Sequence, residues 1–321
     1  MGRHIFCPRN NCPAMPSSLA ARGGSHYELV LDVLCPLVAP TDAPLTSLFM
    51  LLLTPQISPL DESRWSSFIH NDELKSYSFY LPTHNNDRGE EADDNIFTSE
   101  QLDDWFQALH PSQYADETKG HAWTGASYKG TTLLRQTAWF TLDSACTCEY
   151  GYSDTWQPQI KSEKMSQVLR DITASVVEVV GGNFNSVNLN YYPRGGGVGA
   201  HADDEFLFDG LNRETRIVSL SLCGGKSGEG TRKFEVKRKS KKHSNEKKEI
   251  LLKHGDLMTM EGLFQKYYLH SVWPGDSKSH LENPLCQGER INLTWRTIVR
   301  HLDGSADECR GLTCPLSKRL Q

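Results

Sequence analysis

The 321-residue chain lacks any long hydrophobic run. Its longest unbroken apolar stretch, Leu48 to Leu53, falls far short of the roughly 18 residues that a membrane-spanning helix needs. A soluble protein with no membrane partner is therefore expected. Cysteine is sparse: nine residues, irregularly spaced and odd in number, do not make a disulfide-stapled scaffold and point to a reducing compartment, nuclear or cytoplasmic. Cys146 and Cys148 stand too close for a zinc knuckle, and no second pair answers them. An excess of positive charge is also missing. Lys and Arg total 34 against 40 Asp and Glu, a net charge of -6, so affinity for a polyanion must come from a local patch. Acids are absent from Met1 to Tyr27, which carries Arg3, Arg9 and Arg22; this reads as a disordered extension, with an organelle-targeting segment as the alternative.

What remains is globular in composition, 38% hydrophobic and 23% charged, and long enough for one large domain with extensions or two small ones. Ser58-Pro59-Leu60-Asp61-Glu62 reads as a helix start, predicting a helix through Trp65, Phe68 and Ile69. His84 to Asn95 and Asp103 to Glu117 read as solvated, peripheral connections around a short helix. Between Lys164 and Val180 the apolar positions Met165, Val168, Leu169, Ile172, Val176, Val177 and Val180 follow a helical period closed by Gly181-Gly182. Thereafter the period is two, predicting strands in Ser186 to Tyr192, Arg216 to Leu222, Thr231 to Val236, Glu249 to Leu252, Leu257 to Met260 and Arg290 to Ile298. A mainly β fold with flanking helices is expected: a jelly roll or sandwich buttressed by the upstream helices. Lys237 to Lys248 holds seven basic residues against Glu246 alone. It is either a solvated hairpin loop or a phosphate-contacting patch.

Three His-x-Asp triplets occur, at His70, His201 and His301. Only His201-Ala202-Asp203 lies between patterned strands, with a further histidine, His270, in a strand downstream. Two imidazoles and a carboxylate on a rigid β scaffold form the triad that holds non-haem Fe(II), with positions left for cosubstrate and oxygen. A zinc hydrolase could use the same set. On the last strand Arg290, Asn292, Thr294 and Arg296 alternate with Ile291, Leu293, Trp295 and Thr297, and Asn190 and Tyr192 alternate likewise upstream of His201. Such polar faces either meet water or bind a ligand. Arginine suits a carboxylate, so a dicarboxylate cosubstrate chelating the metal at one end would use every group.

These residues resemble the AlkB family of Fe(II)- and 2-oxoglutarate-dependent dioxygenases, over roughly Leu51 to His301. The similarity rests on Asn190-Tyr191-Tyr192 with His201-Ala202-Asp203-Asp204-Glu205, on Gly255 to Pro274 ending in His270-Ser271-Val272-Trp273-Pro274, and on Arg290-Ile291-Asn292-Leu293-Thr294-Trp295-Arg296. The resemblance implies a double-stranded β-helix with Fe(II) on His201, Asp203 and His270. It also implies 2-oxoglutarate against Asn190, Tyr192, Arg290, Asn292 and Arg296, and O2 as co-reactant. Residues 47–301 would form this domain, 1–46 an N-terminal extension and 302–321 a tail. Arg135 to Phe140 and Tyr150-Gly151-Tyr152-Ser153 look most like the branch that demethylates alkylated bases in DNA or RNA, with release of formaldehyde, succinate and CO2. In that branch Tyr150 and Tyr152 would line a base pocket and Glu205, at its mouth, would read an exocyclic amine. A monomer binding methylated DNA or RNA through Lys237 to Lys248 is expected; a dioxygenase of protein or lipid, or a silent binding module, are the rival readings. The acidic insertion around Glu90 to Asp94 departs from the family, and no hydrophobic wedge is evident near Leu133-Leu134.

Overall fold

In chain order the elements are β1 (Ser66–Asn71), β2 (Ser76–Leu81), α1 (Ser99–Leu109), β3 (Thr124–Tyr128), β4 (Thr131–Thr141), β5 (Tyr150–Tyr152), β6 (Thr155–Gln157), α2 (Glu163–Val180), β7 (Ser186–Tyr192), β8 (Val198–His201), β9 (Thr215–Cys223), β10 (Arg232–Arg238), β11 (Lys247–Leu252), β12 (Leu257–Gly262), α3 (Phe264–Tyr267), β13 (Tyr268–Trp273) and β14 (Arg290–Arg296). They come from a computed structural model that describes residues 64–83, 95–115, 122–142, 146, 148–152, 155–224, 229–243, 245–273 and 288–300. All lie in the unit Leu53–Gln321. The expected extension, tail and acidic insertion fall outside the described residues.

Eight strands form one sheet in the order β1-β2-β12-β9-β14-β7-β4-β3, and four form a second, β11-β10-β13-β8. From β7 onward the chain keeps crossing between them: β7, β9, β12 and β14 belong to the large sheet, and β8, β10, β11 and β13 to the small one. That alternation makes the expected double-stranded β-helix. Ile217, Met258 and Met260 of the large sheet pack against Phe234, Val236, Leu252, Tyr268 and Val272 of the small one. On its other face the large sheet buries Leu189, Leu220, Leu222, Ile291, Leu293 and Trp295 against α1 and α2. With both faces of the large sheet covered, the polar side of β14 meets the interior of the β-helix rather than water.

The α2 helix follows its period. Ser162 Oγ accepts from Met165 N–H at 3.3 Å, and Gly181, at φ 64°, returns its N–H to Val177, a left-handed exit that suits glycine. Two expectations fail. Trp65, Phe68 and Ile69 do not share a helix: Phe68 and Ile69 lie in β1, which pairs antiparallel with β2. A short apolar run fits either period, and pairing with a neighbour strand decides it. The segment from Asp103 is not peripheral either. Its first half, to Leu109, lies in α1, whose Leu102, Phe106 and Leu109 sit in the main core while the acids face outward. Strands β2 to β6 carry no clear alternation and were not foreseen.

Phe106 closes tightly on the end of β9, where a Cβ on Gly224 would lie 2.3 Å from its ring. Phe106→Ala should lower the unfolding free energy by about 3–5 kcal/mol in denaturant titration. A loss of less than about 1 kcal/mol would return α1 to the periphery.

Candidate metal and cosubstrate site

β8 and β13 are antiparallel neighbours whose register sets His201 directly opposite His270. The imidazole centroids are 4.2 Å apart. Asp203, two residues beyond β8, brings Oδ1 to 3.6 Å from His201 Nε2 and 3.8 Å from His270 Nε2. These separations are too long for hydrogen bonds, and the three ligand atoms surround one point, all within 4.8 Å of one another. Among the described residues this is the one such cluster. Of the other two triplets, His70 sits exposed at the end of β1 and pairs locally with Asp72, and His301 lies outside the described residues.

Neighbouring groups fix each ligand. His201 Nδ1 lies 2.8 Å from the Gly199 carbonyl, which places its proton there and turns the Nε2 lone pair inward. Asp203 N–H donates to Gln265 Oε1 at 2.8 Å. Arg296 donates from Nε and Nη2 to Asp203 Oδ2, at 3.1 and 2.5 Å, and so leaves Oδ1 to the histidines. Burial alone would raise the Asp203 carboxyl, but Arg296 and the two imidazoles outweigh it and hold it well below the usual carboxylate range. Burial, reinforced by His201, pushes His270 down to about 3, and burial lowers His201 as well. Two neutral imidazoles and one carboxylate are the protonation states a divalent metal requires.

The cluster opens on a small, partly open cavity of about 50 Å³. Asn190, Tyr192, Arg290, Asn292 and Arg296 all line it, as the alternation predicts. The two arginines differ in use. Arg290 is 1% exposed; Nη2 donates to Ser221 Oγ and Asn292 Oδ1 at 2.8 and 2.7 Å, while Nε and Nη1 are buried without a partner among the described residues. A buried guanidinium with two unmet donors calls for an anion that presents paired oxygens. Arg296 turns Nε and Nη2 to Asp203 and lines the same cavity, so both arginines border the expected cosubstrate space, Arg290 with unmet donors and Arg296 through its hold on the metal ligand.

Of the expected base-pocket residues, Tyr150 lies where the sequence puts it and Glu205 does not line the cavity. Tyr150 lines the cavity but is buried, stacked on Trp139 at 4.9 Å between centroids. Its hydroxyl donates to Glu205 Oε1 at 2.7 Å. Glu205 is not among the residues that line the cavity: its other oxygen, Oε2, is buried without a partner among the described residues, and burial with the nearby charge of Asp203 pushes the carboxyl up to about 8. The carboxyl is packed behind Tyr150 because the hydroxyl holds it there. The Tyr152 side chain lies outside the described residues. Leu134, beside Arg135 on β4, is exposed at 63%. Gln265, which orients Asp203, gave no sequence signal. Ser219 and Ser221 on β9 and Asn188 on β7 continue the alternation of their neighbours and carry the same sequence signal.

A facial set of two histidines and one carboxylate, with half the coordination sphere open, defines a class of β-helix protein, the non-haem iron oxygenases. Comparison with known proteins agrees. The sequence model of the 2OG-Fe(II) oxygenase superfamily matches residues 94–296, and the chain belongs to that superfamily, as a member of the AlkB type. It is 33% identical over 172 residues to the human "Alpha-ketoglutarate-dependent dioxygenase alkB homolog 3", covering 51% of each chain. It is 32% identical over 148 residues to the "DNA oxidative demethylase ALKBH2" of Arabidopsis thaliana, covering 41% of this chain and 43% of that one. The chain thus spans about half the length of these curated relatives. A solved structure described as "The structure of OsALKBH1" aligns over 68% of this chain and 96% of its own, at 18% identity and a TM-score of 0.39, a likeness too slight to carry an argument. The superfamily works with Fe(II), 2-oxoglutarate and O2, and the neutral imidazoles, the anionic Asp203 and the unmet donors of Arg290 fit that set.

The two arginines should separate on substitution. Arg290→Lys keeps the charge but loses the planar fork, and should raise the half-saturating 2-oxoglutarate concentration by about tenfold or more. Arg296→Lys should instead weaken Mn(II) or Fe(II) binding by about 10- to 100-fold, read by metal titration. The reverse pattern would exchange their roles.

Proposed function

We propose that the chain is an oxidative demethylase of N-alkylated nucleobases in DNA or RNA. The observation that carries this reading is the two-sided cavity. Val198, Phe234, Leu252 and Val272 of the four-stranded sheet give one apolar wall beside the iron ligands; Arg135, Thr137, Asn188, Asn190, Ser219 and the polar face of β14 give a hydrogen-bonding wall on the eight-stranded sheet. A flat heteroaromatic with an apolar face and polar edges suits such a space, whereas an alkyl chain would strand the polar wall unpaired. The name of the Arabidopsis relative points the same way.

In this reading His201, Asp203 and His270 hold Fe(II), with Arg296 fixing which oxygen of Asp203 faces the metal. Arg290, supported by Ser221 and Asn292, takes the far carboxylate of 2-oxoglutarate, and Asn190 and Tyr192 border the same molecule. Bound iron, 2-oxoglutarate and O2 supply the oxidation of an N-methyl carbon, which is then lost as formaldehyde. Tyr150, locked on Trp139 and Glu205, closes the cavity and keeps water from the methyl group.

The purified chain should form formaldehyde and succinate in equal amounts from methylated oligonucleotides, and Asp203→Ala, lacking the anionic ligand, should form neither. Succinate formation with a methylated peptide or lipid, and with no oligonucleotide of a methylated panel, would overturn the reading.

The hairpin between β10 and β11 gives a polyanion a place to dock. Much of its charge is already paired: Arg238 with Glu246, Lys247 with Glu235 and Glu249, and Lys239 with Asp204. Lys237 and Lys242 form no ion pair among the described residues, and Lys241 stands exposed beside Lys242. Since Asp204 adjoins Asp203, the hairpin lies beside the metal end. Changing Lys237 and Lys242 to Ala should flatten the salt dependence of single-strand binding by about 1.4 log units per log unit of salt, with turnover of bound base little changed. An unaltered slope would make the hairpin a solvated loop.

A further inference from the structure

The cavity has a wall that neither the metal centre nor the cosubstrate uses. Thr137 on β4, Gln157 on β6 and Asn188 on β7 are buried side by side and all line it. Thr137 Oγ1 lies 2.8 Å from Gln157 Oε1 and 3.1 Å from Asn188 Oδ1. A hydroxyl has one proton and can donate to one of them only. The other amide must present its NH2 to Oγ1, since two oxygens at that distance with no proton between them repel. Whichever amide turns, the result is the same: one carboxamide gives the cavity its NH2, and the other gives it its C=O.

A neighbouring pair on the same strand shows what a purely structural arrangement looks like. Thr141 Oγ1 lies 2.7 Å from Gln159 Oε1 and 3.0 Å from the Cys146 carbonyl, a contact like that of Thr137 with Gln157 but with a backbone carbonyl in place of the second amide. There the glutamine NH2 is spent on the carbonyls of Cys146 and Cys148, and Gln159 does not line the cavity. Gln157 and Asn188, 6% and 4% exposed, have Thr137 Oγ1 as the one partner of their carboxamides among the described residues; once one amide turns, an NH2 of one and a C=O of the other are left without a partner, and neither group is sealed off. The surface they keep is cavity surface, and a buried amide with open hydrogen-bonding capacity is costly unless a ligand fills it.

We propose that Gln157 and Asn188, tied by Thr137, form a specificity wall that reads a neighbouring donor–acceptor edge of the nucleobase. The inference rests on the nucleobase reading above and names what selects the base. One NH2 and one C=O side by side accept a base that offers an acceptor beside a donor. A wall made of acceptors alone favours bases with an exocyclic amine over bases with a carbonyl in its place.

Gln157→Glu and Asn188→Asp convert the wall to acceptors at constant shape. An oligonucleotide carrying a methylated amino-type base and one carrying a methylated keto-type base, competing in one reaction, give a ratio of kcat/KM independent of how much variant folds. Each acid variant should shift that ratio towards the amino-type base by about tenfold or more, whereas Gln157→Leu and Asn188→Leu should slow both and shift it less. The 2-oxoglutarate requirement should stay at the wild-type value. An unchanged ratio with an active wild type overturns the wall alone. A raised 2-oxoglutarate requirement at unchanged ratio assigns the amides to the cosubstrate and overturns it too. A wild type inactive on both oligonucleotides overturns the nucleobase reading and the wall together.

Discussion

The hold of Arg296 on Asp203 is the interaction from which the rest of the site follows. Both partners are buried, and such a pair is stabilising only when its remaining donors and acceptors are met and its surroundings are rigid. Here they are. Two guanidinium donors converge on Oδ2, Gln265 takes the Asp203 N–H, and the rings of Phe208 and Tyr150 flank the cation at 5.3 and 5.9 Å. With Oδ2 committed, Oδ1 has one direction left, towards the two histidines. The aromatic cluster of Trp139, Tyr150 and Phe208 is therefore a support for the arginine as much as a wall of the cavity.

The second constraint is the division of labour between the sheets. The four-stranded sheet contributes both histidines and apolar side chains, and the eight-stranded sheet contributes the arginines, the asparagines and hydroxyls, with Met260 as its apolar member. The large sheet can turn a polar face inward because α1 and α2 supply the apolar burial on its other side. A buried polar face of this size is stable only where its groups satisfy one another or a ligand. Asn292, bonded to Ser219, Arg290 and Thr294, shows the first case; the unmet donors of Arg290 show the second.

Much of this was legible in the chain. Where the period is strong and long, as in α2, β7, β9 and β14, the elements fall where the alternation puts them. His201, Asp203 and His270 were separable from the other His-x-Asp triplets because patterned strands surround them. The failures share a cause. Phe68 and Ile69 belong to a run too short to distinguish the periods, and α1 hides a core face behind the acids that made it look solvated. The hairpin lysines read as one positive patch, yet five of the seven basic residues between Lys237 and Lys248 make their bonds within the protein.

By itself the sequence determined which residue types were available and in what order: the two histidines and the aspartate, the alternating polar face of β14, and the β-rich second half. Local periodicity carries that information because side chains two apart share a strand face and side chains three or four apart share a helix face. Only the tertiary structure decided the partners. That Arg296 serves the metal ligand and Arg290 does not, that Glu205 is drawn behind Tyr150, and that Thr137, Gln157 and Asn188 meet at one wall all depend on contacts between strands far apart in the chain. Spacing along one strand does not encode those contacts; the register and crossing of two packed sheets do.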